Sequence, residues 1–370
     1  MNFFAERNSL YSKIACLFIL IFLSSIVYFN SLQGAFQFDD RNLLNREWIT
    51  NLNSFNKNVD LKSYQNRPIL LWTFAVNNHL NNQHTFGFHL ANLTLHTLVA
   101  VLIFVLVIRA KYLIPKEYNS KEEENLKSVN HLRTSVLFFP LATSLIFILH
   151  PINTDSVTYI SSRSSLLATF FYLLTIYFFT ETLLNFRTIK YRIILGLLTI
   201  LGIYLAVASK LIAVTLPVVL IFLFFVIYIP KYFPNYAKYF TISKIILFFG
   251  CGGFVLIYLA YLLDILYLPK DQGVELYGRI PYLLVQSKVV IFYYLTKFIF
   301  PFNLNVDSGF PFTEYTTDWK IFFSIFLITS IAWLVLKWGN IWVKLGSAWF
   351  FLSIAPTSSI IPLNDLAVEH

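Results

Sequence analysis

"FGFHLANLTLHTLVAVLIF", residues 86–104, decides the fold. Continued to Ile108, it holds no Asp, Glu, Lys or Arg, and a hydrocarbon core about 30 Å thick needs about 20 apolar residues per helix. Its polar residues His89, Asn92 and His96 recur at i, i+3 and i+7, which is one face of a helix. Polar side chains confined to one stripe of an apolar helix turn toward other helices and hydrogen-bond across a bundle. The stretch therefore reads as one span among several, with His89 near its outer edge and placed to touch a ligand, and His96 deeper and structural.

The rest of the 370-residue chain repeats the pattern. It is 57% hydrophobic, 18% aromatic and 13% charged, against about 25% charged for a soluble domain, and its mean hydropathy is +0.65. The fold class is an all-α polytopic membrane protein. Spans are expected near Ile14–Phe29, Leu90–Ile108, Ser135–Leu149, Leu166–Leu184, Ile193–Ala208, Ala213–Ile229, Ile245–Leu263, Ile321–Leu336 and Leu345–Ile361, with Pro281–Phe300 ambiguous. That gives about 9–10 transmembrane helices. No small-residue cleavage site follows the first span, so it reads as a retained anchor. Both cysteines, Cys16 and Cys251, lie in apolar runs, and no disulfide or metal framework can be drawn from them.

Lys and Arg set the orientation. Arg7 and Lys13, the loop 109–134, Arg187 with Lys190 and Arg192, and Lys231 with Lys238 and Lys244 belong in the cytoplasm. The loop 30–89 and those starting at His150 and Ser209 then face outward. Asn303–Asp318 carries only acids and also reads as outer, so Pro281–Phe300, with Arg279, Lys288 and Lys297 around it, is expected to be an amphipathic or re-entrant helix in an outer region 264–320. The net charge of +9 is spent on cytoplasmic flanks, which leaves no basic domain for nucleic acid.

The outer side collects a mixed set of acids and cations: Asp39, Asp40, Arg67, His89, His150, Asp155, Arg163, Lys210, Asp307, Glu369 and His370. Adjacent carboxylates repel and are costly near lipid. Asp39 and Asp40 in "GAFQFDDRNLL" fit a helix cap, a general base for a hydroxyl nucleophile, or a divalent cation. Arg163 opens a span, where a cation opposes the helix dipole and calls for a phosphate or carboxylate partner. Lys210 fits snorkelling to the interface or a lipid phosphate. Asp307 sits in a Pro- and Asn-rich loop suited to a substrate rim.

Taken in order, "GAFQFDDRNLL", "RPILLWTFAVNNHLNNQHTFGFHLANLTLHTL", "ILHPINTDSVTYISSRSSLLATFFYLL", "LAVASKLIAVTLPVVL", "FPFNLNVDSGFP" and "WFFLSIAPTSSIIPLNDLAVEH" resemble the GT-C membrane glycosyltransferases. Within that class they are similar to the protein O-mannosyltransferase type that carries tetratricopeptide repeats after its spans. The resemblance implies a GT-C-like bundle with outer loops and interfacial helices. It also implies transfer of a sugar, mannose first, from a polyprenyl-phosphate donor to a hydroxyl of a protein or glycolipid acceptor at the outer face, with inversion. On this match Asp39 is the first choice for the base with Asp40 as its catalytic partner. His150, Arg163 and Lys210 would hold the donor phosphate. Arg67, His89, Asp155, Asp307, Glu369 and His370 would line the cavity or the acceptor site. No cofactor is firmly implied; the acidic pair permits a divalent cation.

The chain departs from the family pattern in three places. Leu211 stands where an acid usually follows the lysine, Ser164 and Ser165 follow Arg163 in place of small and acidic residues, and the pattern at "NDLAVEH" normally continues into further spans and repeats. A truncated product lacking the C-terminal repeats is therefore expected. The short loops point to a bacterial inner membrane, with the endoplasmic reticulum as the other location. The competing classes are a transporter or flippase of a lipid-linked solute, which would show inverted repeats and mid-membrane charges, and an inactive structural relative.

Overall fold

The computed structural model describes residues 2–52, 54–55, 61, 67–113, 135–184, 188–233, 244–245, 278–305, 310, 318–358 and 367. Among the described residues every regular element is a helix. Seven are long and apolar enough to cross a membrane, or eight if the bent pair 137–149 and 151–158, which meets at 53°, is one span. The chain divides into two units, one up to Ala213 and one from Val214.

The first unit starts with α1 (Asn2–Tyr28). Two short outer helices follow, α2 (Asp39–Leu44) and α3 (Glu47–Thr50), and then α4 (Pro68–Asn81), whose Pro68 stands in the first turn, where the missing N–H costs nothing. α5 (Thr85–Leu113) and α6 (Ser135–Leu149) return through the bundle. Beyond them α7 (Thr154–Thr158) caps the outer end, and α8 (Arg163–Leu184) and α9 (Ile189–Ser209) form a hairpin. The expected spans over 90–108, 135–149, 166–184 and 193–208 lie within these helices, and that over 14–29 ends one residue past α1, in the turn that follows it.

Two kinds of contact hold this unit. An aromatic and aliphatic cluster, with Trp48, Ile49, Leu71, Phe74, Phe88, Ile160 and Leu167 at its centre, fastens α3 and α4 onto α5 and α8. α8 and α9 meet so closely that a Cβ on Gly202 would lie 2.1 Å from the Thr175 Oγ1. Small residues at such a crossing let helix backbones approach, which is how packing replaces the hydrophobic effect inside lipid. Between α1 and α5, Ser24 and Thr97 share a 2.8 Å hydroxyl pair. His96 is fully buried, stacked on Phe147 at 4.8 Å with the Tyr28 ring edge-on at 5.3 Å, as the reading of a structural histidine expects. Opposite the outer loops, Arg109 pairs with Glu181 and lies over the Tyr177 ring, joining α5 to α8.

In the second unit α10 (Leu216–Leu223) runs through a π turn into α11 (Ile229–Tyr232). α12 (Arg279–Val289) continues through a second π turn into α13 (Thr296–Ile299). α14 (Trp319–Trp338) and α15 (Ile341–Ile354) follow. The expectation of an interfacial helix at Pro281–Phe300 meets a different arrangement, because 280–299 is long and apolar enough to span. Two of the basic residues that suggested an interface, Lys288 and Lys297, have partners within the chain. Lys288 is buried and donates to the Asp318 Oδ2 at 2.6 Å, while Asp318 Oδ1 caps the Lys320 N–H. Lys297 donates to the carbonyls of Phe302 and Asn303. The helix in the expected 345–361 span is α15, only 14 residues long. Of the remaining sequence-based readings, the 246–263 part of the seventh span and most of the 109–134 loop lie outside the described residues, as do Cys251, Asp307, Glu369 and His370.

Candidate functional site

One end of the first unit is organised by five consecutive residues, "SSRSS" at 161–165, at the start of α8. Ser161 donates to Asp40 Oδ1 twice, from its backbone N–H at 2.9 Å and its hydroxyl at 2.5 Å. Ser162 donates its hydroxyl to Asp155 Oδ2 at 3.0 Å. Ser165 accepts from the Lys210 Nζ at 2.8 Å. Ser164 is buried. Asp40, Asp155 and Lys210 are thus each moored to one serine of the run.

Arg163, in the middle of that run, points the other way. It is 1% exposed, and its Nε donates to Asn92 Oδ1 at 2.8 Å. Its two terminal nitrogens reach Asn77 Oδ1 at 2.7 Å and the carbonyls of Phe88 and Thr73. The guanidinium also lies 4.6 Å from the centre of the Phe74 ring. The phosphate-binding role expected of Arg163 does not fit this arrangement, since its donors are already met by four protein acceptors in an enclosed site. The helix-dipole argument for a ligand fails here because side-chain amides and carbonyls supply the negative ends instead.

Asp39 and Asp40 open α2, where acids favour the N-terminal turn. They take different environments. Asp39 is exposed, whereas Asp40 is 1% exposed and also accepts from the Gln37 N–H at 3.1 Å. Burial pushes the Asp40 carboxyl above the ordinary carboxylate range; the Ser161 and Gln37 hydrogen bonds and the nearby His89 oppose that rise. Phe38, just before the pair, is held at φ 41°, a conformation that costs a bulky residue about 1–3 kcal/mol. Its ring is 67% exposed and meets Tyr159 edge-on at 6.1 Å.

The cations gather nearby. Arg67 precedes α4 and Lys210 follows α9, and both are half-buried. They lie within electrostatic reach of each other. Burial lowers the Arg67 affinity for its proton. The Lys210 ammonium is pushed down to about 7, first by burial and then by Arg67, with Asp155 acting against the shift. Two cations held together in a partly dry place are stabilised by a bound anion.

His89 and His150 serve the local backbone. His89 is buried with Nε2 3.2 Å from the Gly34 carbonyl, and a Cβ on Gly34 would come within 2.9 Å of that nitrogen, so the position takes no side chain. His150 Nδ1 accepts from the Ile152 N–H at 3.2 Å, capping the turn 151–153. The structure therefore brings Asp40 together with His89, and Lys210 together with Arg67 and Asp155, the two groups joined through the serine run 161–165. Among the described residues no three His, Cys, Asp or Glu side chains are close enough to form a metal site. The serines at 161, 162 and 165 and the amide of Asn77 are what sequence reasoning missed as site-builders, whereas Asn92 was expected to bond across the bundle. The only signal of the serines was polar density at a helix start, which a plain cap produces as well.

A helical, multi-pass membrane protein with an acid pair and a cation pair at one end of its bundle is thus defined. The chain is similar to proteins known as protein O-mannosyl-transferases. One of Caenorhabditis elegans, F38B6.6, is 32% identical over 174 residues, which is 42% of this chain and 21% of that protein. Tmtc3 of Drosophila melanogaster is 30% identical over 177 residues, 42% of this chain and 18% of its own. TMTC4 of Mus musculus is 29% identical over 174 residues, with 42% and 21% covered. The chain spans about a fifth of the length of these relatives. No family model and no solved structure matches the chain. The resemblance read from the sequence is thereby supported by homology. The relatives are animal proteins, so the preference for a bacterial inner membrane finds no support in them.

Proposed function

We propose that the chain carries the transfer site of a membrane O-mannosyltransferase that moves a mannosyl group from a polyprenyl-phosphate donor to a hydroxyl of a protein or glycolipid acceptor, at the outer face of an endoplasmic-reticulum-type membrane. The observation that carries the reading is the half-buried cation pair, Arg67 and Lys210, with Lys210 tied to Ser165 in the same serine run whose Ser161 holds Asp40, the neighbour of the exposed Asp39. In the reaction the acceptor oxygen attacks the anomeric carbon, the carbon–oxygen bond to phosphate breaks, and polyprenyl phosphate leaves. Asp39 takes the hydroxyl proton as general base. Arg67 and Lys210 balance the charge that grows on the leaving phosphate. Asp155, anchored by Ser162 and within electrostatic reach of Lys210, tempers that positive field. A donor with a lipid tail suits a site at the membrane edge, since the tail stays in the bilayer while the phosphate stays near water. His150 remains a candidate for the donor phosphate.

The test is transfer of label from polyprenyl-phosphate mannose to the protein and lipid fractions of membranes holding the chain, alone and within a longer form of the relatives' length. Label that appears with the chain and is lost in Asp39→Asn supports the reading and identifies the acceptor class. Label indifferent to Asp39 sinks the assignment of the base. Absence of label from both forms, with other sugars tried, turns the reading toward a carrier of lipid-linked solutes.

A further inference from the structure

Asp40 is the more deeply held of the two acids, and the hydrogen bonds around it form a continuous path into the bundle. Its Oδ1 takes both donors of Ser161. Ser161 lies in the turn 160–162, whose preceding carbonyls, those of Val157, Tyr159 and Ile160, all receive the Asn92 Nδ2 at 3.3–3.4 Å. Asn92 is fully buried on α5, and its oxygen is fixed by Arg163. Arg163 in turn ties Asn77 of α4 and the carbonyl of Phe88 on α5. Every joint between Asp40 and the helix bundle therefore has its acceptors met.

We infer that Ser161 is a positioning residue which, through this Arg163–Asn92 path, seats Asp40 and so leaves Asp39 alone to face the ligand. The inference rests on the proposed transferase reading for its consequence in catalysis, though not for its geometry. Asp40 then belongs to the mounting of the site and is not the base. Asp39 is adjacent in sequence, and the first turn of α2 cannot present both carboxylates outward once Asp40 is drawn toward Ser161. The groups that face Asp40 are Ser161 and Tyr159 from the loop, His89 from α5, Arg163 from α8, and its own neighbours Asp39 and Arg41. Ser161 and Gln37 donate to the ionised form, and hydrogen bonds to a carboxylate favour ionisation. Losing the Ser161 hydroxyl moves the Asp40 titration to higher pH.

Two readouts on the full chain in lipid nanodiscs test this. The first is carbodiimide-driven amide coupling of carboxyls, read by mass spectrometry, on the intact chain, Ser161→Ala and Ser161→Thr. Expected is Asp39 modified and Asp40 protected in the intact chain, Asp40 unmasked several-fold in Ser161→Ala, and protection restored in Ser161→Thr. Equal modification of both acids in the intact chain, or no change in Ser161→Ala, overturns the seating. The second is the acid limb of the transfer rate against pH, which Asp40 enters through its seating, because protonation weakens its hold on the Ser161 donors that mount Asp39 beside it. Ser161→Ala should shift it upward while Ser161→Thr keeps it in place; a drop of equal size at every pH overturns the positioning role and leaves only a structural one. Absence of transfer by the unaltered chain counts against the transferase reading, and the coupling pattern then still decides the seating.

Discussion

α8 carries a buried or half-buried charge at each end, and the two ends are neutralised in opposite ways. At the inner end Glu181 meets a full opposite charge, Arg109. At the outer end Arg163 meets amides and carbonyls, and Asp40, Asp155 and Lys210 are held by serine hydroxyls. An ion pair satisfies itself and asks nothing of a ligand. A charge held by neutral groups keeps its field while losing its freedom to move, which is what a preorganised site requires. The contrast separates a fastener from a working end on a single helix.

Four experiments would break or sharpen that contrast. The largest effect is expected from Arg163→Met, which strips donors from Asn92, Asn77 and two carbonyls. With hydrogen bonds to charged groups worth about 1.5–3 kcal/mol each, the loss should remove most of the folded protein, seen as a collapsed thermal transition in detergent. Arg163→Lys should not rescue it, because an ammonium lacks the guanidinium fork. A normal melt for either variant would demote the hub.

Next comes Asp39→Asn, which on the proposed mechanism removes the base and should lower the transfer rate by about 10²–10⁴-fold. The melting temperature should stay within a degree or so of the parent, because Asp39 is exposed and its carboxylate holds no buried partner in place. Loss of stability together with rate would show that the two acids are mounted as one.

The third is pH. Burial and Arg67 push the Lys210 ammonium down to about 7, so a phosphate that pairs with it at higher pH must recruit a proton. Donor affinity should therefore fall as pH rises through 7, by up to about tenfold per unit, and Lys210→Met should flatten the dependence. Inhibition by polyprenyl phosphate across pH 6–9 measures it, and a flat profile in the parent would remove Lys210 from the phosphate site. The smallest effect is expected from Glu181→Gln at the inner end. It should cost about 1 kcal/mol of stability, since Arg109 is partly exposed, and leave transfer unchanged.

How far these features were legible in the sequence follows from the kind of signal each leaves. Long uncharged runs such as 90–108 announce their helices, because length and hydropathy are summed over many residues. The interfacial reading of Pro281–Phe300 leaned on Lys288, whose charge looked like an exposed flank and is paired with Asp318, thirty residues on. The same limit governs the site. Asp39 and Asp40 are neighbours in sequence and look alike; only the fold shows that one is drawn onto Ser161 from 121 residues away. Arg163 read as a ligand cation because sequence shows a charge without the Asn92 and Asn77 oxygens that absorb it.

Gly202 gives the hairpin a depth gauge. Thr175, opposite it, is fixed by its own bond to the Phe171 carbonyl, so the two helices can slide no further than that notch allows. At about 1.5 Å of rise per residue, Lys210 stands roughly 12 Å above the notch along α9, and Ser165 roughly 15 Å above it along α8. The height at which an amine meets its hydroxyl at the water's edge is thus measured from a point well inside the oil, by a residue with no side chain.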